Sequence, residues 1–413
     1  MAEKVVITGL GLITSLGHQV EDVWSAILDG KSGIAEITQF DTSDFSVHFG
    51  GEVKDFDITN WISKKEAKRL DRYVHFAAAA SLDAVKDSGL ELKDMDPTRI
   101  GVVYGSGIGG IIEMEQQHTR YLNKGASKIS PFIIPKMMAN SAAGNISILL
   151  GASGPNFSVV TACAAGSHSI GQAADLIRNG VSDIVVAGGS EAAISPLGLG
   201  GFCSLKALST RNDDPTTASR PFDLNRDGFV MAEAGGTVIL ESESHAKARG
   251  AKIYAELAGF GMSGEGYHIT QPNPDANGCI RAMQMAVESA GLALTDIDYI
   301  NAHGTSTYFN DKTETFAVKK LFGDHANHLA MSSVKSHMGH SLGASGAVEA
   351  AICALALRDQ KMPPTINLTT PDPECDLDYV PGKGRDARLD AVISNSLGFG
   401  GHNACLCIKK YQD

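Results

Sequence analysis

The stretch Ser158-Val-Val-Thr-Ala-Cys163-Ala-Ala-Gly-Ser-His-Ser-Ile-Gly-Gln-Ala-Ala-Asp-Leu-Ile-Arg-Asn179 reads as a short apolar strand that turns at a cysteine into an Ala-rich helix. A strand feeding directly into a helix is the repeating unit of an α/β sheet with crossover connections. The same junction places the Cys163 thiol where the helix dipole and free N–H groups favour a thiolate, a nucleophile's position. Ala164, Ala165 and Gly166 leave the backbone unshielded, so a substrate carbonyl can approach the amides. The competing reading is a buried structural cysteine, common for this residue type.

Working outward, the cadence continues on both sides. In the N-terminal half strands are expected at Val5–Thr8, Ile100–Tyr104, Ser158–Thr161 and Asp183–Ala187, and helices at Val74–Ser88, Lys136–Leu149 and Ser167–Asn179. In the C-terminal half they are expected at Thr237–Leu240, Ile253–Phe260, Tyr299–Ala302, Leu329–Ser333, Ala391–Ser394 and Ala404–Ile408, with helices at Cys279–Ala290, Thr313–Leu321 and Ala344–Leu357. The class is α/β, with parallel strands in two sheets of like order and a boundary near residue 250. The polar run Leu208–Asp223 lacks periodicity and is expected to be a long loop held by tertiary contacts.

Bulk properties bound the function. The 413 residues suffice for two or three compact units or one duplicated architecture. Hydrophobic residues make up 43% and charged residues 20%, a globular composition. With 35 basic against 47 acidic residues the net charge is −12, which argues against nucleic acid as main partner. Seven cysteines cannot all pair, and most lie in apolar surroundings, so reduced thiols in a reducing compartment are expected. The beginning of the chain runs straight into a strand without a basic leader, and no apolar run reaches ~18 residues, so neither export nor a membrane span is expected.

Two further strand ends carry chemistry. Tyr299-Ile-Asn-Ala-His303 and Lys335-Ser-His-Met-Gly-His340 each place a histidine where ligand crevices of α/β sheets form. A single histidine there is more often structural, but His303, Lys335, His340 and Cys163 together are not readily explained that way. Gly105-Ser-Gly-Ile-Gly-Gly110 mimics a dinucleotide fingerprint, yet no acidic residue lies between Glu115 and residue 150 to bind a ribose. The pairs His325/His328 and His337/His340 lack the glutamate of a metalloprotease helix, so no catalytic metal is expected.

Thr161-Ala-Cys163, Asn301-Ala-His303-Gly-Thr-Ser-Thr307, Lys335 through His340, Gly343-Ala-Ser-Gly-Ala-Val-Glu349 and Asn395-Ser-Leu-Gly-Phe-Gly-Gly401 together resemble β-ketoacyl-acyl-carrier-protein synthases. The likeness spans essentially the whole chain, including Arg226-Asp-Gly-Phe, and is greatest toward the dissociated type II enzymes of fatty acid synthesis. It implies a thiolase-like, duplicated five-layered αβαβα fold. Residues 1–250 would form the half with the nucleophilic cysteine and the dimerisation and cap insertions, and residues 251–413 the half with two catalytic histidines. It further implies a cytoplasmic homodimer, an acyl carrier protein as partner, and no cofactor beyond the phosphopantetheine that the carrier brings.

The resemblance also assigns roles. Cys163 would carry the acyl thioester, and the N–H groups of Cys163 and Phe399 would form the oxyanion hole. His303 and His340 would stabilise the enolate left by malonyl decarboxylation, with Lys335, Glu349 and Asp311 as supporting charges. Thr305 and Thr307 would contact the phosphopantetheine arm, and Ile108 and Phe399 the substrate. Lys65, Lys68, Arg69 and Lys206 would dock the acidic carrier, the first three on one helical face by spacing. Tyr308, His337, Met338 and Leu397 depart from the usual pattern. A polyketide condensing enzyme shares nearly every motif; a chain-length partner subunit would lack the cysteine, and a Cys-His hydrolase would need a third orienting residue.

Overall fold

Ten strands of one sheet repeat a single pattern twice in the computed structural model, which describes residues 3–412. The first five are β1 (Val5–Thr14), β2 (Ile100–Gly105), β3 (Asn156–Phe157), β4 (Ile184–Glu191) and β5 (Ala234–Ser242). The second five are β6 (Ala255–Gly264), β7 (Tyr299–Asn301), β8 (Ala330–Ser332), β9 (Ala391–Gly398) and β10 (His402–Lys409). Outward from the middle, the order is β1-β5-β4-β2-β3 on one side and β6-β10-β9-β7-β8 on the other. Strand for strand, these are the same topology.

The halves join where Val6 faces Glu256 and Ile7 faces Ala255, so the two expected sheets are one continuous sheet. The pairing is mixed rather than parallel throughout. Strands β2, β3 and β4 run parallel, as do β7, β8 and β9, whereas β5 and β10 are antiparallel to their neighbours. The link from β9 to β10 is only Phe399-Gly-Gly401, far too short for the crossover that a parallel return requires.

Helices fill three further layers. The half-sheets sandwich a central pair, α3 (Ala165–Arg178) and α6 (Ser345–Asp359), each of which packs on strands of both halves. Outside the first half lie α1 (Arg72–Ser88) and α2 (Ser141–Leu150); outside the second lie α4 (Asn277–Ser289) and α5 (Tyr308–Phe322). Thirteen of the fifteen residues of α6 are buried, which explains why its sequence shows no polar face. This is the thiolase-like architecture expected from the resemblance.

Local expectations fail where tertiary contacts intervene. Ser158–Thr161 does not pair as a strand: the ladder with β2 ends at Phe157, and only the Val159 carbonyl still accepts from Ser106 N–H. The helix expected over 136–149 is broken, because Met138 is extended and its carbonyl accepts from the Tyr73 hydroxyl. Helix α5 begins at Tyr308, five residues ahead of the expected start. The polar run 208–223 is indeed irregular over most of its length; Ser219 donates to the Lys335 carbonyl, and Asp223 accepts from the Thr369 and Thr370 amides. Among the described residues no helix is long and apolar enough to cross a membrane.

Candidate active site

Each half carries a sharp elbow into its central helix. In the first half the tight turn Ala162–Ala164 precedes α3, and in the second Leu342–Ala344 precedes α6. Both begin on a non-glycine residue in the left-handed region, Ala162 and Leu342 each with φ 48°. Such backbone costs on the order of 1–3 kcal/mol and persists only where the surroundings enforce it. The elbows pack against each other, so Cys163 sits at the middle of the molecule.

Burial dominates the thiol. It pushes the Cys163 pKa up to about 12, although Lys335 and the N–H groups of Phe399 and Cys163 itself pull the other way. The helix terminus therefore does not offset burial, and the resting group is a thiol rather than the thiolate that the sequence suggests. Gly398 makes the close approach to Cys163 possible. A Cβ there would fall 2.7 Å from the Thr161 carbonyl oxygen and 3.2 Å from Cys163 N.

His303 and His340 meet edge to face, ring centroids 5.3 Å apart, and both are almost fully buried. Burial first, and the Lys335 charge second, hold both pKa values well below the ordinary 6.5, so both rings are neutral. The His340 Nδ1 lies 3.0 Å from Ser345 Oγ. A hydroxyl donating there leaves the ring proton on Nε2. His303 is fixed through its backbone: Glu314 accepts from the N–H groups of His303 and Gly304 at 2.8 and 2.9 Å, and from the Asn395 amide. Lys335, 2% exposed, is paired with Glu349.

A cavity of about 560 Å³ opens onto these groups. Cys163, His303, His340, Ile108, Thr305, Thr307, Phe399 and Lys206 all line it. The Thr305 and Thr307 hydroxyls are 3.0 Å apart. Lys335 and Glu349 stand behind the wall. Asp311 lies elsewhere than beside Lys335: it accepts from Phe222 N–H and faces the Arg226 guanidinium at 3.5 Å. Lys65, Lys68 and Arg69 are exposed and away from the cavity lining, and they do not share a helical face as their spacing suggested. The helix is only Lys64–Ala67; Lys68 caps it, and Arg69 follows with its guanidinium over Phe132.

Of the departures, His337 is buried between the carbonyls of Lys31 and Pro364, and Met338 is buried beside it, so neither faces the cavity. Leu397 and Tyr308 do line it, and the Tyr308 hydroxyl donates to Glu374. Glu314 and Ser345 escaped sequence reading because single carboxylates and hydroxyls carry no spacing signal.

The family model of the β-ketoacyl synthase N-terminal domain matches residues 2–246, and that of the C-terminal domain matches residues 254–369. The 3-oxoacyl-[acyl-carrier-protein] synthase 2 of Synechocystis is 53% identical over 410 residues, and that of Coxiella burnetii 50%, each alignment covering 99% of both chains. Among solved structures, a type II polyketide ketosynthase in complex with its acyl-carrier protein superposes with a TM-score of 0.93 at 36% identity over the full length of both chains. A β-ketoacyl synthase from Burkholderia phymatum gives 0.93 at 35%, covering 99% of this chain and 100% of that one. A duplicated sheet, two facing elbows and full-length similarity at this level make the chain a member of the β-ketoacyl synthase family.

Proposed function

We propose that the chain is a 3-oxoacyl-acyl-carrier-protein synthase of type II fatty acid synthesis, an acyltransferase that elongates carrier-bound acyl chains with malonyl units. The observation that carries this reading is the convergence of Cys163, His303 and His340 on one cavity with the Lys335–Glu349 pair behind it. Full-length identity of 50–53% to 3-oxoacyl-[acyl-carrier-protein] synthases 2, against 36% to a type II polyketide ketosynthase, favours fatty acid over polyketide synthesis.

In the first half-reaction Cys163 Sγ attacks the acyl thioester carbonyl, and the carbonyl oxygen takes up charge between the Cys163 and Phe399 N–H groups. The carrier thiolate leaves and takes the proton that Cys163 gives up. In the second, malonyl thioester enters beside Thr305 and Thr307. Its C–C bond breaks, carbon dioxide leaves, and the electron pair forms an enolate whose oxygen accepts from the Nε2–H groups of neutral His303 and His340. The enolate carbon then attacks the Cys163 thioester, and the sulfur departs to leave a 3-oxoacyl chain on the carrier. Lys335 adds to burial in keeping both rings neutral and favours the departing thiolate; Asp311, through Arg226, fixes the Thr307 and Tyr308 carbonyls. No step needs a metal or free cofactor.

The division at residues 1–250 and 251–413 belongs to the same reading and is supported by the repeated strand order. A homodimer is supported by the exposed apolar side chains Met114, Leu122, Ile134, Ile148, Phe157 and Val160 on the first half. Strand β3 is the sheet's outermost strand on that side, and pairing with a second copy would cover it. The acyl carrier protein is the partner, met by Lys65, Lys68, Arg69 and Lys206, and the cytoplasm is the setting.

Incubation of the purified protein with acyl- and malonyl-carrier protein tests this. Carbon dioxide and 3-oxoacyl carrier are expected from fatty-acid carriers, and Cys163→Ala is expected to show no acyl adduct by intact mass. Release of neither product by the unsubstituted protein would refute the reading.

A further inference from the structure

Glu191, the last residue of β4, is a fully buried carboxylate with no basic side chain as its hydrogen-bonding partner. It is held by four donors. Oε1 accepts from the Ser106 hydroxyl at 2.9 Å and Ile108 N–H at 3.3 Å; Oε2 accepts from Gly107 N–H at 2.6 Å and Gly343 N–H at 3.1 Å. Burial pushes its carboxyl above the ordinary range, while the four donors favour the ionised, acceptor-only form.

The location is set by the duplication. The fourth strand of each half ends against an elbow: β9 ends at Gly398, against Cys163, and β4 ends at Glu191, against Gly343. Cys163 and Gly343 are the middle residues of the two equivalent turns. In the first half the elbow amide is left open for a developing oxyanion. In the second half the equivalent amide already holds an anion, the Glu191 carboxylate.

That carboxylate bridges two segments that approach closely at Gly107 and Gly343. A Cβ on Gly343 would fall 2.3 Å from Gly107 N and 2.8 Å from Glu191 Oε2, and one on Gly107 would fall 2.8 Å from the same oxygen. On one side of the bridge is Ile108, in the cavity wall; on the other is the turn that directly follows His340. Leu342, in that turn, packs in the same apolar cluster as Cys163.

We propose that Glu191 is a positioning residue that locks the Ile108 loop and the turn after His340 into one unit, so that a shift of the Ile108 wall of the cavity is passed to the histidine side of the site. This rests on the condensing reading above. The negative charge is also one of the influences that raise the thiol pKa of Cys163, although burial is the larger.

Glu191→Gln is nearly isosteric but turns an NH2 group toward at least one N–H donor, breaking the bridge on one side. Two measurements on the purified protein test the inference. The first is Cys163 alkylation by iodoacetamide across pH, which needs no acyl substrate; removal of the negative charge is expected to speed alkylation at pH 8 about threefold, equivalent to half a pH unit. The second is the rate of Cys163 acylation across a series of acyl chain lengths. With the loop released, the ratio of long-chain to short-chain rates is expected to rise about tenfold, the factor for one lost hydrogen bond of about 1.4 kcal/mol. Ser106→Ala, which removes one neutral donor and no charge, should raise the ratio less and leave the alkylation profile in place; it serves if Glu191→Gln does not fold. An unchanged alkylation profile and chain-length ratio in Glu191→Gln overturns the proposal, as does an unchanged ratio in Ser106→Ala if that is the variant that folds. Absence of acylation in the unsubstituted protein refutes the condensing reading instead, and the alkylation profile then still decides whether Glu191 acts on Cys163.

Discussion

Glu349 binds the Lys335 ammonium through Oε1, while its Oε2 is buried with no partner among the described residues. Burial raises the Glu349 pKa to about 7 despite the ammonium beside it. The pair is thus balanced, and Lys335 is the positive charge that lowers the pKa of Cys163, His303 and His340 alike.

Lys335→Met therefore has a readable sign. Without the ammonium the thiol titrates at still higher pH, so iodoacetamide alkylation at pH 8 is expected to slow about tenfold, equivalent to one pH unit. Glu349→Ala strands a buried ammonium and is expected to cost about 3–5 kcal/mol in urea unfolding. An alkylation profile unmoved by Lys335→Met would remove the lysine from the electrostatics of the site.

For the histidines the two half-reactions separate. His303→Ala and His340→Ala are expected to keep Cys163 acylation, visible by intact mass, while carbon dioxide release from malonyl carrier falls about 100- to 1,000-fold, the usual effect of losing one oxyanion donor. Unimpaired release from either variant would end that assignment.

What the sequence shows of all this depends on the range of the interaction. Strands such as β4 and β10 and the helices α3 and α6 are continuous apolar or Ala-rich runs, legible because their burial is nearly total. The α/β class was legible for the same reason, whereas the thiolase-like architecture and the roles of Cys163, His303 and His340 came from the resemblance their motifs carry. Illegible were features created by contacts distant in sequence: the two-residue seam at Val6 and Ile7, the break at Met138 enforced by Tyr73, and Glu191, 152 residues from Gly343. The Lys65–Arg69 face failed because spacing presumes a helix longer than the four residues that form.

His168 supplies a test of folding energetics. Burial first, then the neighbouring His402, lowers its pKa to about 4, and its Nδ1 pairs with Thr161 Oγ1 at 2.8 Å. A base whose folded pKa lies below its unfolded 6.5 binds protons more readily unfolded. Its contribution is therefore full above pH 6.5 and is lost as pH falls from 6.5 toward 4, by about 3 kcal/mol in all. Relative to the unsubstituted protein, His168→Asn should lose that much of the acid sensitivity in urea unfolding at pH 7 and pH 4; equal sensitivity would show that His168 takes up its proton at the same pH in the fold as in the unfolded chain.

Lys65 and Lys68 are exposed at a distance from the cavity lining that Lys206 shares. Charge on such a surface acts mainly on association with an acidic carrier. Lys65→Glu combined with Lys68→Glu is expected to raise KM severalfold for carrier-linked substrates, with kcat unchanged and the effect strongest at low salt. Pantetheine-linked substrates should be unaffected, and equal loss with both substrate types would refute docking at these residues.

Ile108 stands in the cavity wall with 39% of its surface exposed, on the side where Met114 and Phe157 also face outward. Its loop is flanked by Gly107 and Gly109, and Gly109 has φ 77°, so the backbone is one that a side chain would strain. We propose, as the resemblance implies, that in the dimer this residue lies across the interface at the floor of the acyl channel. Phenylalanine there is larger and stiffer than isoleucine and would leave less room. Each methylene denied burial forfeits about 0.8 kcal/mol, so two carbons beyond the available depth cost roughly fifteenfold in rate. Ile108→Phe is therefore expected to keep short acyl donors reactive and to discriminate progressively against longer ones. Acylation of Cys163 measured over a chain-length series decides the matter: a loss that steepens with length places Ile108 at the channel floor, and a uniform loss at every length removes it from there.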